Sequence, residues 1–172
     1  MSHVPTLLER NAQFAQERHR PLPIRPEMNT VVLSCLDART DPAHFMALDA
    51  GEAVVIRNAG GRVTPAVEQE LGMLAAMVRQ AWGAAFEIVV VHHTDCGVER
   101  LADPDARAGV SAASGVDADA LALLAIADHD ASLRDDLSRL RASSVVPNGI
   151  TVTGLRYDPA TGRAETRFVE VL

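Results

Sequence analysis

Three short runs constrain this chain more than anything else in it: "TVVLSCL" (residues 30–36), "AVVIRN" (53–58) and "FEIVVVHH" (86–93). Each is rich in β-branched residues and apolar at consecutive positions. A strand with one face in water would alternate, so continuous runs of this kind predict strands buried on both faces. Helical stretches separate them. Asp41 can cap a short helix with Pro42 at its first position. Thr64 with Pro65 opens a longer one, in which Val67, Leu71, Leu74 and Val78 recur at helical spacing. Such alternation requires right-handed crossovers and gives an α/β fold. Further helices are expected at residues 118–128 and 131–141, the second with Leu133, Leu137 and Leu140 on one face. The C-terminus reads as two alternating strands joined by "DPATG", with Gly162 at a positive-φ position. The expected architecture is a mainly parallel central sheet of four strands plus an antiparallel C-terminal edge strand, with helices on both faces.

Residues 1–172 form one expected domain, because 172 residues at 48% hydrophobic content suffice for a single core. Residues 6–19 look like an amphipathic helix, and the Pro-punctuated "RPLPIRPE" after them is extended. Residues 1–29 therefore read as an N-terminal arm suited to packing on a partner subunit. The stretch "ADPDARAGVSAASGVDAD" (102–119), small and polar, reads as a mobile loop. All 16 basic residues are arginine, net charge is −7, and no basic stripe exists, so nucleic acid is not an expected partner. No run approaches a membrane span and the N-terminus lacks an apolar signal core, which predicts no membrane association and a cytoplasmic location.

In parallel α/β sheets, ligands gather beyond the carboxyl ends of the strands. Three loops leave that edge. The first carries Cys35, Asp37 and Arg39, the second "RNAGG", and the third His93 and Cys96. Cys35 and Cys96 lie far apart in sequence but meet if the first and third strands are neighbours. Two thiolates and an imidazole suit zinc, and three protein ligands are the count of a catalytic site with one open position. His93 is the expected ligand, because H-x-x-C spacing lets a tight loop turn both side chains inward. His92, on the opposite strand face, is assigned to packing or to supporting the ligands from behind. A disulfide between the two cysteines is the competing reading, disfavoured in a reducing compartment. Gly60 and Gly61, together with Gly97, are read as walls of the site.

"CLDAR" (35–39), "RNAGG" (57–61) and "HHTDCG" (92–97), in this order, resemble the β-class carbonic anhydrases, whose pattern is C-x-D-x-R, R-N-A-G and H-x-x-C-G. The likeness extends to the "PLP" arm and to the "YDPATG" ending, and it is greatest to a small bacterial subgroup. It implies zinc on Cys35, His93 and Cys96, and a dyad in which Arg39 holds the Asp37 carboxylate for a hydrogen bond to metal-held water. The implied enzyme is a zinc lyase that interconverts CO2 and bicarbonate through zinc-bound hydroxide. The implied assembly is a homodimer or higher homo-oligomer embraced by N-terminal helices. If Arg39 let go, Asp37 could close the fourth metal position. Carbonyl sulfide or carbon disulfide, linear analogues of CO2, are alternative substrates for such a site. A non-catalytic zinc or redox-sensing protein using Cys35 and Cys96 is the alternative of a different class.

Overall fold

The computed structural model describes residues 2–172. Five strands form one sheet: β1 (Thr30–Cys35), β2 (Val54–Asn58), β3 (Glu87–His93), β4 (Thr151–Asp158) and β5 (Arg163–Val171). Their order is β2-β1-β3-β4-β5; the first four are parallel and β5 runs antiparallel to β4. The β1–β3 adjacency follows from crossovers that place β2 on one side of β1 and β3 on the other. It sets the loops that follow β1 and β3 side by side.

The helices are α1 (Val4–Glu17), α2 (Pro42–Phe45), α3 (Pro65–Trp82), α4 (Pro104–Ser114), α5 (Ala118–Leu124) and α6 (His129–Ala142). Asp41 and Thr64 accept the backbone N–H of Ala43 and Val67, capping α2 and α3. Inward pleat positions of the central strands, among them Leu33, Ile88, Val90 and Val152, pack with Leu71 of α3 and with Leu133, Leu137 and Leu140 of α6. The opposite face is a smaller cluster of Val32, Val91 and Tyr157, which Phe45, Met46 and Leu48 partly cover. The turn before β5 places Gly162 at φ 70.

Three expectations are corrected. Residues 102–119 are not one polar loop: α4 occupies most of it, capped by Asp103 with Pro104 at its first turn and ended by Gly115 in the left-handed region. Its residues are small and none is buried, so no apolar period marks it. β2 is not buried on both faces; it lies at the sheet edge, with Val55 41% exposed. The helix expected over 118–128 stops at Leu124, because Ala125 turns extended and Asp128 becomes the N-cap of α6. α1 buries no residue and leaves Val4, Leu7, Leu8 and Phe14 in solvent. Among the described residues, no helix is long and apolar enough to cross a membrane.

Candidate metal centre

β1 delivers Cys35 to the sheet edge, and the chain then tightens into a 3-10 turn over Ala38–Thr40 with Asp37 as its N-cap. β3 ends in His93, the backbone reverses through Asp95 at φ 56, and Cys96 precedes a second 3-10 turn, Gly97–Ala102. The two sulfurs come to 3.8 Å, too far for the roughly 2.05 Å bond of a disulfide, and both cysteines are free. The ligand atoms of Cys35, His93 and Cys96 all lie within 4.8 Å of one another, and all three residues are buried. The disulfide reading therefore fails on distance, and the structure brings the three donors together as a group that could hold one metal ion.

The His93 ring is already set for a ligand's role. Its Nδ1 donates to the Thr94 carbonyl oxygen at 3.0 Å, which leaves the Nε2 lone pair free, and Nε2 is buried with no hydrogen-bond partner. His92 points away: its Nε2 meets Asp136 Oδ2 at 2.8 Å, where Arg62 Nε also donates at 2.8 Å.

At 3.8 Å the two sulfurs are placed to share one proton. The Cys96 thiol donating to it lowers the Cys35 pKa to about 4 against the opposing effect of burial, helped by His93 and by the backbone N–H groups of Asp37 and Gly60. The Cys35 sulfur and burial push the Cys96 thiol far up. Burial opposes charge on His93 most strongly, but the Cys35 side chain, the Thr94 carbonyl and Asp37 together raise its pKa. One divalent cation would replace that shared proton and give Nε2 the partner it lacks. Two sulfurs and one nitrogen are the donor set of borderline-soft zinc.

The dyad is bidentate. Arg39 Nε donates to Asp37 Oδ1 at 3.0 Å, its Nη2 to Oδ2 at 2.7 Å, and the Arg39 backbone N–H to Oδ1 at 2.9 Å. These bonds, the guanidinium's first, hold the Asp37 carboxyl well below the usual carboxylate range. Arg57, noticed in the sequence only as part of a wall, braces the same loop from β2. Its Nε reaches the Cys35 carbonyl oxygen at 2.9 Å, its Nη2 that of Asp37 at 2.7 Å, and its Nη1 Asp41 Oδ2 at 3.1 Å.

Of the three wall glycines, Gly61 is wedged most tightly. A Cβ there would lie 2.6 Å from the Val91 carbonyl oxygen and 3.1 Å from the Cys35 nitrogen, at φ +66. At Gly60, φ +79, a Cβ would meet Val98 Cγ2 at 2.9 Å; at Gly97 it would meet nothing within 4 Å. Glu99 accepts the Cys96 N–H at 2.8 Å and lies 3.1 Å from His129 Nε2, tying the metal loop to α6. Its place three residues after Cys96 is capping-box spacing, a signal available in the sequence. Asp95, which binds Arg39, carries no such signal.

A sequence model of the carbonic anhydrase family matches residues 30–114. A protein of Mycobacterium tuberculosis described as beta-carbonic anhydrase 1 is 30% identical over 156 residues, covering 91% of this chain and 92% of the relative. A carbon disulfide hydrolase of Acidithiobacillus thiooxidans is 26% identical over 151 residues, 76% of this chain and 73% of that protein. Among solved structures, a carbonic anhydrase from Streptococcus mutans superposes with a TM-score of 0.80 at 31% identity, over 96% of this chain and 98% of that one.

Proposed function

Since the chain belongs to the β-carbonic anhydrase family, we propose that it catalyses the reversible hydration of CO2 to bicarbonate and a proton on zinc held by Cys35, His93 and Cys96. The observation that carries this reading is the buried, partnerless His93 Nε2 facing two sulfurs 3.8 Å apart. Zinc bound there would act as a Lewis acid and bring the pKa of a water it holds down toward about 7.

The remaining work falls to the chain. Asp37 is ionised at any physiological pH, so it accepts a hydrogen bond from the attacking water and aims the oxygen lone pair at the carbon of CO2. Arg39 occupies both carboxylate oxygens and keeps Asp37 from turning aside. Arg57 fixes the carbonyls of Cys35 and Asp37, so the dyad and the first thiolate move as one piece. The Thr94 carbonyl holds the His93 tautomer. Gly60 and Gly61 bring the backbone of the second loop against the site, a wall that side chains would push away.

The arm is read as a dimer element. The apolar residues that α1 leaves in solvent match a groove between the sheet and α3, lined by Ile24, Pro26, Val54, Leu74, Met77 and Trp82. In a homodimer the partner's arm would cover this face. Both thiols stay reduced in the cytoplasm, the location this reading assigns.

The carbon disulfide hydrolase relative supports a second substrate reading on the same site. Turnover of each gas by the zinc-loaded protein decides between them, with stopped-flow indicator for CO2 and hydrogen sulfide release for carbonyl sulfide and carbon disulfide. CO2 hydration as the dominant rate is expected. Hydrolysis of a sulfur gas without CO2 hydration would replace the proposal. Bound zinc with no turnover of any gas under reducing conditions would favour the redox-sensing alternative.

A further inference from the structure

We propose that Asp95 is a positioning residue: it anchors the Arg39 guanidinium to the metal loop and thereby fixes where Arg39 holds Asp37. The inference rests on the reading of Asp37 given above.

Arg39 divides its donors between two acids. Its Nε and Nη2 bind Asp37, while its Nη1 donates to Asp95 Oδ2 at 2.7 Å and Nη2 donates again to the Asp95 carbonyl oxygen at 2.9 Å. The backbone makes this possible. Asp95 sits at φ +56, in the left-handed region that L side chains rarely adopt, and aspartate is among the few residues that tolerate it. Strained conformations of this kind concentrate at functional sites. Here the conformation presents a carboxylate and a carbonyl to one guanidinium.

The exposure of the partners decides what the contact can do. The Asp95 side chain is 85% exposed and that of Arg39 47%, so the ion pair adds little to stability. Its effect is orientation. Asp37 and Arg39 lie two residues apart on one short loop and could swing together without breaking their bonds. Asp95 belongs to the other loop, between His93 and Cys96. Through it Arg39 spans both loops and sets the dyad against the second thiolate. Without Asp95 the Asp37–Arg39 pair stays formed but loses its bearing on the site.

Asp95→Gly removes the carboxylate while glycine accepts the positive φ; Asp95→Asn keeps the size and an acceptor but loses the charge. Both are compared with wild type as zinc-loaded full chains. The readouts are bound zinc, solvent exchange of the Arg39 Nη1 hydrogens by NMR, which the Asp95 carboxylate holds, and kcat and KM for CO2. Asp95→Gly is expected to keep its zinc and its KM, to speed exchange of the Arg39 Nη1 hydrogens while the Nε–H bound to Asp37 stays protected, and to lose about two- to fivefold in kcat, the size of effect an exposed charged pair supports. Asp95→Asn falls between it and wild type. In an Arg39→Ala background Asp95→Gly should cost nothing more. Unchanged Arg39 exchange, a full further cost in that background, or loss of zinc from Asp95→Gly would each overturn the proposal. A wild type that hydrates no CO2 would sink the functional reading instead, and the exchange measurement would still judge the Asp95 anchor.

Discussion

Zinc binding to this chain should expel protons in a number the geometry fixes. Two thiolates 3.8 Å apart would repel by about 4 kcal/mol at an effective dielectric near 20, about a thousandfold against both being ionised together. The metal-free chain therefore keeps a proton on the pair at neutral pH, the Cys35 thiol being pulled down and the Cys96 thiol pushed up by their contact. A divalent ion needs both sulfurs as thiolates and His93 neutral. Binding must release about one proton from the sulfurs and part of a second from His93, whose pKa is raised, and a metal-held water of pKa about 7 gives up most of a further proton at pH 7.5. Because protons compete with the metal for the same atoms, affinity falls as pH falls. Isothermal titration of zinc into metal-free protein at pH 7.5, repeated in buffers of different ionisation enthalpy, gives the number as a slope. About two to three protons per zinc are expected. A slope of zero would mean that the sulfurs are not the ligands or that they do not share a proton, and the electrostatic reasoning would fall.

Other perturbations separate structural from chemical roles. Gly61→Ala combines a left-handed backbone with a Cβ 2.6 Å from the Val91 carbonyl oxygen and should cost about 3 kcal/mol or more in urea unfolding. Gly162→Ala, at φ +70 with nothing within 4 Å, should cost only about 1 kcal/mol; equal losses would contradict the wedge. Asp136→Asn should destabilise the fold by about 3–5 kcal/mol, because it leaves the buried Arg62 charge unpaired; a loss under about 1 kcal/mol would show that Arg62 finds another partner. Asp37→Asn should retain its zinc and lose about a hundredfold in kcat, the scale of removing one oriented polar group from a reacting centre. Full turnover in that variant would take the dyad out of the chemistry.

Much of this was legible because the relevant signals are local. Consecutive β-branched residues marked β1 and β3, and H-x-x-C at the end of one strand with C-x-D-x-R at the end of another marked the three donors. Only the adjacency of β1 and β3 had to be supplied by topology. Failures came where local pattern and environment part company. β2 has the composition of a central strand but sits at an edge, since composition does not report a strand's place in the sheet order. α4 was missed although Asp103-Pro104 is the same start signal as Asp41-Pro42; its Ala, Gly and Ser residues bury nothing, and periodicity had nothing to report. Arg57, Asp95 and Asp136 act across the sheet or between loops, on partners 16 to 74 positions away along the chain, and no spacing rule reaches that far.

The central claim is that three donors from two neighbouring strand ends hold one zinc ion that serves CO2 chemistry. Stopped-flow CO2 hydration on a single preparation, assayed with one zinc per chain, then stripped, then reloaded, tests it most directly. The account predicts a rate well above buffer that disappears with the metal and returns with it. A fully loaded chain that hydrates CO2 no faster than buffer, from neutral to alkaline pH, would contradict it.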